Sequence, residues 1–376
     1  MFYRLLLCFF VIAGYAQEKT VCLNMIVKNE SRVIQRCLES VKDLVDYWVI
    51  VDTGSTDDTE QLIRETMRGI PGELHERSWV NFEYNRNEAL HLARQKGDYL
   101  LILDADEHLE GKRDLPPLDR DCFFITVREA KTDYQRIFLI DNSLPWRWEG
   151  VLHETLLCEQ ATTFDLLEQC VLMSKTDDGY RSQDPQKYWK DAQVLEEVLR
   201  KDPNNSRNVF YLAQCYRNGG HYPFALQQYQ KRATMGDWDE EVFWSLYQIG
   251  IIQQILGADS AAILDSFIKA FQYRPSRSEP LYRIAEIYTN QKDYFAAYIT
   301  ARCATSIPIP PDHVFLERWI YNYGHLLIQA HAAFELHFYA EAEELCRKIL
   351  LEPTLPAEYR MSAEKNLKLL IDSRVK

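Results

Sequence analysis

Asp104 and Asp106 stand one residue apart at the end of the apolar run Leu100-Leu101-Ile102-Leu103. Neighbouring carboxylates at a strand end repel each other unless a divalent cation lies between them and a phosphate, and oxygen-only ligation suits Mg²⁺ or Mn²⁺. D-x-D alone is a weak signal, because short acidic residues after a strand also make turns and helix caps. A second cluster, Trp146-Arg147-Trp148-Glu149-Gly150-Val151-Leu152-His153-Glu154, gathers aromatic, imidazole and carboxylate groups in one short segment. Trp148 suits either stacking on a sugar face or a place in the core.

These residues need a scaffold, and the apolar runs upstream supply one. Val49-Ile50-Val51 ends in Asp52, followed by Gly54 and capping residues before Glu60-Gln61-Leu62-Ile63. The run from Val21 to Val27 ends near Asn29 and Glu30, and Val33, Ile34, Cys37, Leu38, Val41 and Leu44 then recur at helical spacing. Strand, turn and helix in this order predict a parallel sheet whose polar clusters share the edge where open α/β sheets bind ligands. Short β-rich runs follow at 122–127 and 137–140.

The segments M-I-V-K-N-E-S, V-D-T-G-S-T-D-D-T, Asn85-Arg86-Asn87-Glu88-Ala89-Leu90 and L-D-A-D-E, in that order, resemble the family 2 glycosyltransferases of the GT-A fold over residues 20–155. The resemblance implies a nucleotide-sugar donor, a divalent cation on the D-x-D pair and inversion at the anomeric carbon. On these positions it makes Asp106 the main metal ligand and shares Asp104 between metal and donor ribose. Asp52 becomes a contact of the nucleobase or ribose, with Glu30 nearby, and Arg86 a positive charge near the diphosphate. A carboxylate accepts the imide N–H of uracil, so a uridine donor is expected. Glu107 reads as structural or sugar-contacting. An inverting transfer needs one general base opposite the leaving group. Glu154 is expected as that base and His153 as a further ligand of Mn²⁺ or Mg²⁺, with exchange of the two roles left open. Longer relatives carry the base in a separate acidic motif, and no clear Q-x-x-R-W follows here.

The 376 residues carry a formal charge of −13, which argues against a nucleic-acid partner. The nine cysteines lack C-x-x-C or C-x-x-H spacing and read as small buried hydrophobes. Residues 1–16 pair Arg4 with an apolar stretch and small residues, as in a signal or a membrane-associating segment. A cytoplasmic or peripheral membrane location is favoured, with export or a lumenal site left open. No other segment reads as transmembrane.

The catalytic unit is expected over residues 17–180 and an all-α unit over 181–376. In the latter, Tyr211-Leu212-Ala213 precedes Ala225, Ile249-Gly250 precedes Ala262, Tyr282-Arg283-Ile284-Ala285 precedes Ala297, and Phe338-Tyr339-Ala340-Glu341-Ala342 opens a last unit. This spacing is similar to tetratricopeptide repeats, with Ala225, Ala262 and Ala297 where paired helices cross closely. The expected fold class is thus α/β, a GT-A nucleotide-sugar-binding domain followed by helical tetratricopeptide-like repeats. The expected function is metal-dependent glycosyl transfer to a glycan, lipopolysaccharide or peptide acceptor, with a protein partner for the repeats. The competing readings are a repeat scaffold with a degenerate transferase domain, and a sugar nucleotidyltransferase, which the missing glycine-rich phosphate loop disfavours.

Overall fold

The computed structural model describes residues 19–175 and 178–374; the signal-like segment 1–16 lies outside them. The first unit is built on an eight-stranded sheet of order β3-β2-β1-β4-β7-β6-β10-β5. Its strands are β1 (Val21–Val27), β2 (Tyr47–Asp52), β3 (Gly72–Glu76), β4 (Tyr99–Ile102), β5 (Glu107–Gly111), β6 (Cys122–Glu129), β7 (Thr132–Asp141) and β10 (Phe164–Ser174). A separate hairpin joins β8 (Arg147–Glu149) to β9 (Thr155–Leu157). β1 pairs in parallel with β2 on one side and β4 on the other, so Glu30, Asp52 and Asp104 follow adjacent strand ends.

The uninterrupted aliphatic runs follow from burial on both faces. Leu23, Ile50 and Leu101 meet α1 (Ile34–Val41) and α2 (Thr59–Thr66) through Cys37, Leu38, Val41 and Ile63. Their neighbours Cys22, Val49 and Leu100 meet Leu90 and Ala93 at the end of α3 (Phe82–Leu92), together with Trp146. A strand alternates its side chains between faces, and here both faces are covered. Asn24 is the polar exception; its side-chain amide donates to Ala89 O at 2.8 Å and ties α3 to the sheet.

After a short turn at Tyr180–Gln183 the chain is helical: α4 (Lys187–Lys201), α5 (Ser206–Asn218), α6 (Tyr222–Arg232), α7 (Asp239–Ile255), α8 (Ser260–Tyr273), α9 (Glu279–Asn290), α10 (Tyr294–Thr305), α11 (His325–Glu335), α12 (Tyr339–Leu350) and α13 (Ala357–Arg374). Consecutive helices pack in sequence, as stacked hairpin repeats do. Ala225, Ala297 and Ala342 are fully or almost fully buried at the fourth position of α6, α10 and α12. Ala262 breaks the expected pattern because it is exposed, and Ile263 takes that position in α8. The close crossing of α7 and α8 comes at Gly250, where an added Cβ would lie 2.6 Å from the buried Phe267 ring.

Packing crosses the change from strands to helices. Leu152 belongs to the core formed by α4 to α9, and Phe82 and Val151 pack against it. On the far side, Asp133 of β7 exchanges backbone hydrogen bonds of 2.9 and 2.8 Å with Leu316, and Gln135 N donates to His313 O at 2.9 Å. Among the described residues every cysteine is free, with Cys303 exposed and Cys158 half-buried. No helix among them is long and apolar enough to cross a membrane.

Candidate active site

The turns after β1 and β2 are one hydrogen-bonded unit. Asp52 Oδ1 accepts from the amides of Gly54 and Ser55 at 2.7 and 2.6 Å, a turn for which Gly54 supplies φ +102°. Asn29 Oδ1 accepts from Thr56 N at 2.7 Å, and Glu30 N donates to Thr59 Oγ1 at 2.8 Å. The polar residues of K-N-E-S and D-T-G-S thus fix each other. Asp52 Oδ2 is buried without a protein hydrogen bond, so it is free to accept from a ligand.

Glu107 is the structural member of the acidic run. It is buried, accepts from Asp104 N at 3.0 Å, and pairs with Arg136 from β7. This locks the turn that presents Asp104 and Asp106. Asp104 Oδ1 pairs with Arg86 Nη2 at 2.8 Å, which holds its carboxyl below the usual range against the effect of burial. Asp106 makes no ion pair among the described residues. Burial and the charge of Asp104 push it up to about 6. Glu30 is pushed up to about 7, chiefly by burial, with added repulsion from Asp106, Asp57 and Asp104.

Arg86 joins this acidic edge to the second cluster. Its Nε lies 3.5 Å from Glu154 Oε2, and its guanidinium lies over the Trp148 ring at 4.8 Å. Helix α3 positions both partners. Asn87 donates to Trp148 O and accepts from Trp148 N, each at 2.8 Å, and Glu83 accepts from Gly150 N at 3.1 Å. Residues 150–154 connect β8 to β9 and contain two left-handed residues, Gly150 at φ +117° and His153 at φ +54°. That loop brings Glu154 to Arg86. Glu154 Oε1 is buried without a protein hydrogen bond, and burial raises its carboxyl while Arg86 opposes the rise.

His153 does not join Asp104 and Asp106 as a ligand set. Its ring stacks on Tyr211 of α5, with centroids 4.0 Å apart and planes 6° from parallel. Among the described residues no group of three or more His, Cys, Asp or Glu side chains is arranged to hold a metal. Lost hydration where Tyr211 stacks on the ring, with added repulsion from Arg207, Lys187 and Arg181, holds the imidazole below its ordinary pKa. The donor chemistry of Asp104 and Asp106 still fits Mg²⁺ or Mn²⁺, which take one or two protein carboxylates and complete their shell with water and substrate phosphates.

Three features at the site had no distinct sequence signal. Arg36 of α1 donates to Asp178 Oδ2 at 2.7 Å and to Asp106 O at 3.0 Å. Tyr180 N donates to Glu30 Oε2 at 3.1 Å. Between them, a Cβ on Gly179 would lie 2.8 Å from Asp106 Oδ2, so the chain leaving the sheet passes close against Asp106 and a larger residue at 179 would have to displace that carboxylate.

Residues 22–118 match the family model described as Glycosyl transferase family 2, and the chain carries a domain of that family there. Over 223 residues it is 26% identical to the SPbeta prophage-derived glycosyltransferase SunS of Bacillus subtilis, covering 54% of this chain and 51% of that protein. A TPR repeat-containing protein of Synechococcus elongatus is 42% identical over 100 residues, 27% of this chain and 23% of that one. The chain thus spans about half the length, or less, of these curated relatives. Among solved structures, S. aureus TarS shares 13% identity at a TM-score of 0.34, covering 69% of this chain and 55% of that one, too loosely for residue correspondences.

Proposed function

We propose that this protein is an inverting, divalent-metal-dependent glycosyltransferase that moves a sugar from a nucleotide-sugar donor, expected to carry uridine, to a glycan, lipopolysaccharide or peptide acceptor. The observation that carries this reading is the continuous set Asp104, Arg86 and Glu154, which links the D-x-D edge to a carboxylate from another loop. Asp52 offers Oδ2 to the nucleobase imide or a ribose hydroxyl. A Mg²⁺ or Mn²⁺ bound by Asp104 and Asp106 would serve as Lewis acid toward the departing diphosphate. Arg86 balances the negative charge gathered there and orients both carboxylates that it touches. Glu154 Oε1 accepts the acceptor's proton as the acceptor bonds to the anomeric carbon and the bond from that carbon to the diphosphate breaks. Burial raises the Glu154 carboxyl, which makes it a stronger base than an exposed carboxylate.

The helical repeats, a form that commonly presents extended binding surfaces, support recruitment of a protein partner or an extended acceptor. The test is release of nucleoside diphosphate from a panel of nucleotide sugars, with Mn²⁺ and with chelator. Metal-dependent release from one donor supports transfer chemistry. No binding and no release from any donor would leave the repeat scaffold with a degenerate transferase domain as the better reading.

A further inference from the structure

The loop 150–154 is held from two sides. On the sheet side α3 grips it through Asn87 and Glu83. On the repeat side the grip is Tyr211, whose ring stacks on one face of the exposed His153, and Arg207, which donates to His153 O at 3.1 Å and lies over the Tyr211 ring at 4.9 Å. Arg207 is itself steadied by Glu241 of α7 at 3.6 Å. Leu152 adds an apolar anchor in the core of the repeats. A non-glycine residue in the left-handed region is strained and persists where its surroundings hold it. His153 is such a residue, and its neighbour is Glu154.

We propose that the first helical repeat positions the base: Tyr211 and Arg207 latch His153 and thereby hold Glu154 beside Arg86. The inference rests on Glu154 being the base of the proposed transfer. It makes Tyr211, Arg207 and His153 positioning residues. It also gives the helical unit a part in the chemical step in addition to any part in recruitment.

Full-length Tyr211→Ala, Tyr211→Phe and His153→Ala decide the matter through two readouts. The first is independent of turnover: hydrogen exchange across residues 148–155. Tyr211→Ala and His153→Ala should speed exchange there at least fivefold while β4 stays protected, and Tyr211→Phe, which keeps the ring, should restore the wild-type rate. The second is kinetic. Tyr211→Ala should lower kcat at least tenfold with donor KM and Mn²⁺ affinity within twofold, and the double variant with His153→Ala should be no worse than either single one. Unchanged exchange at 148–155 would overturn the latch. Loss of Mn²⁺ affinity in His153→Ala, rescued by excess metal, would overturn it too by making His153 a ligand. If wild type turns over no nucleotide sugar while exchange behaves as expected, the latch stands and the transferase reading fails.

Discussion

At the scale of residues, the candidate site divides by how far each side chain must reach. Asp52, Asp104 and Asp106 sit at strand ends whose aliphatic runs are visible in the sequence, so their shared edge was legible from local pattern alone. Arg86 and Glu154 were legible through motif, although their ion pair was not, because it joins a helix to a loop distant in sequence. His153 shows what such reading leaves out: its residue type suits a metal, and its ring also stacks on Tyr211 of α5, which no spacing rule near His153 foreshadows. The division of roles has a direct consequence for Glu154→Gln. The amide keeps size and polarity but cannot take a proton, so transfer should fall by about two orders of magnitude or more. Metal-dependent donor affinity, measured calorimetrically on the same variant, should change little. A variant that binds donor poorly instead would place Glu154 in the donor site.

At the scale of elements, the N-R-N-E-A-L stretch has a mechanical purpose. Asn87 meets both backbone groups of Trp148, and Asn85 closes the preceding loop by accepting from Val80 N at 2.9 Å and donating to Ser78 O at 3.1 Å. One helix thus fixes its own entry and the loop that bears Glu154. In the repeats, periodic small residues indicated the helix pairs correctly but misplaced one contact, because a sequence period does not say which residue of an Ala-Ala-Ile run faces inward. Ile263 faces in, Ala262 faces out, and the α7–α8 crossing relies on Gly250. Gly250→Ala tests that crossing. Its Cβ would press on a buried aromatic ring, and overpacking of this kind costs about 1–3 kcal/mol. The gain in helix propensity returns about 1 kcal/mol at most. Thermal unfolding should therefore show a lower melting temperature for the variant; an unchanged or higher one would mean that the two helices separate without cost.

At the scale of the whole molecule, the sheet and the repeats pack together at two places, the loop 150–154 and the segment 312–318, so the second unit is a structural partner of the first. Composition and period could mark where strands give way to helices but not this mutual packing, which depends on tertiary approach. The repeats also carry a pH response. His325 is buried, bonded to Ser278 Oγ at 2.8 Å and edged by the rings of Tyr282 and Tyr321, and burial pushes its imidazole down to about 4. An unfolded histidine takes up its proton near 6.5, so its contribution is complete above that pH and is lost as pH falls from about 6.5 toward 4, by up to roughly 3 kcal/mol. Denaturant midpoints between pH 7 and 4.5 should fall more steeply for wild type than for His325→Gln; equal slopes would contradict this account of His325. The central claim is that the edge formed by Asp52, Asp104 and Asp106 holds a nucleotide sugar through a divalent cation. Calorimetric titration of the full chain with UDP-sugars in Mn²⁺ and in chelator, repeated on Asp106→Ala, tests it most directly. The account predicts Mn²⁺-dependent binding to wild type and its loss in a folded Asp106→Ala; equal donor affinity in both proteins, or affinity indifferent to Mn²⁺, would contradict it.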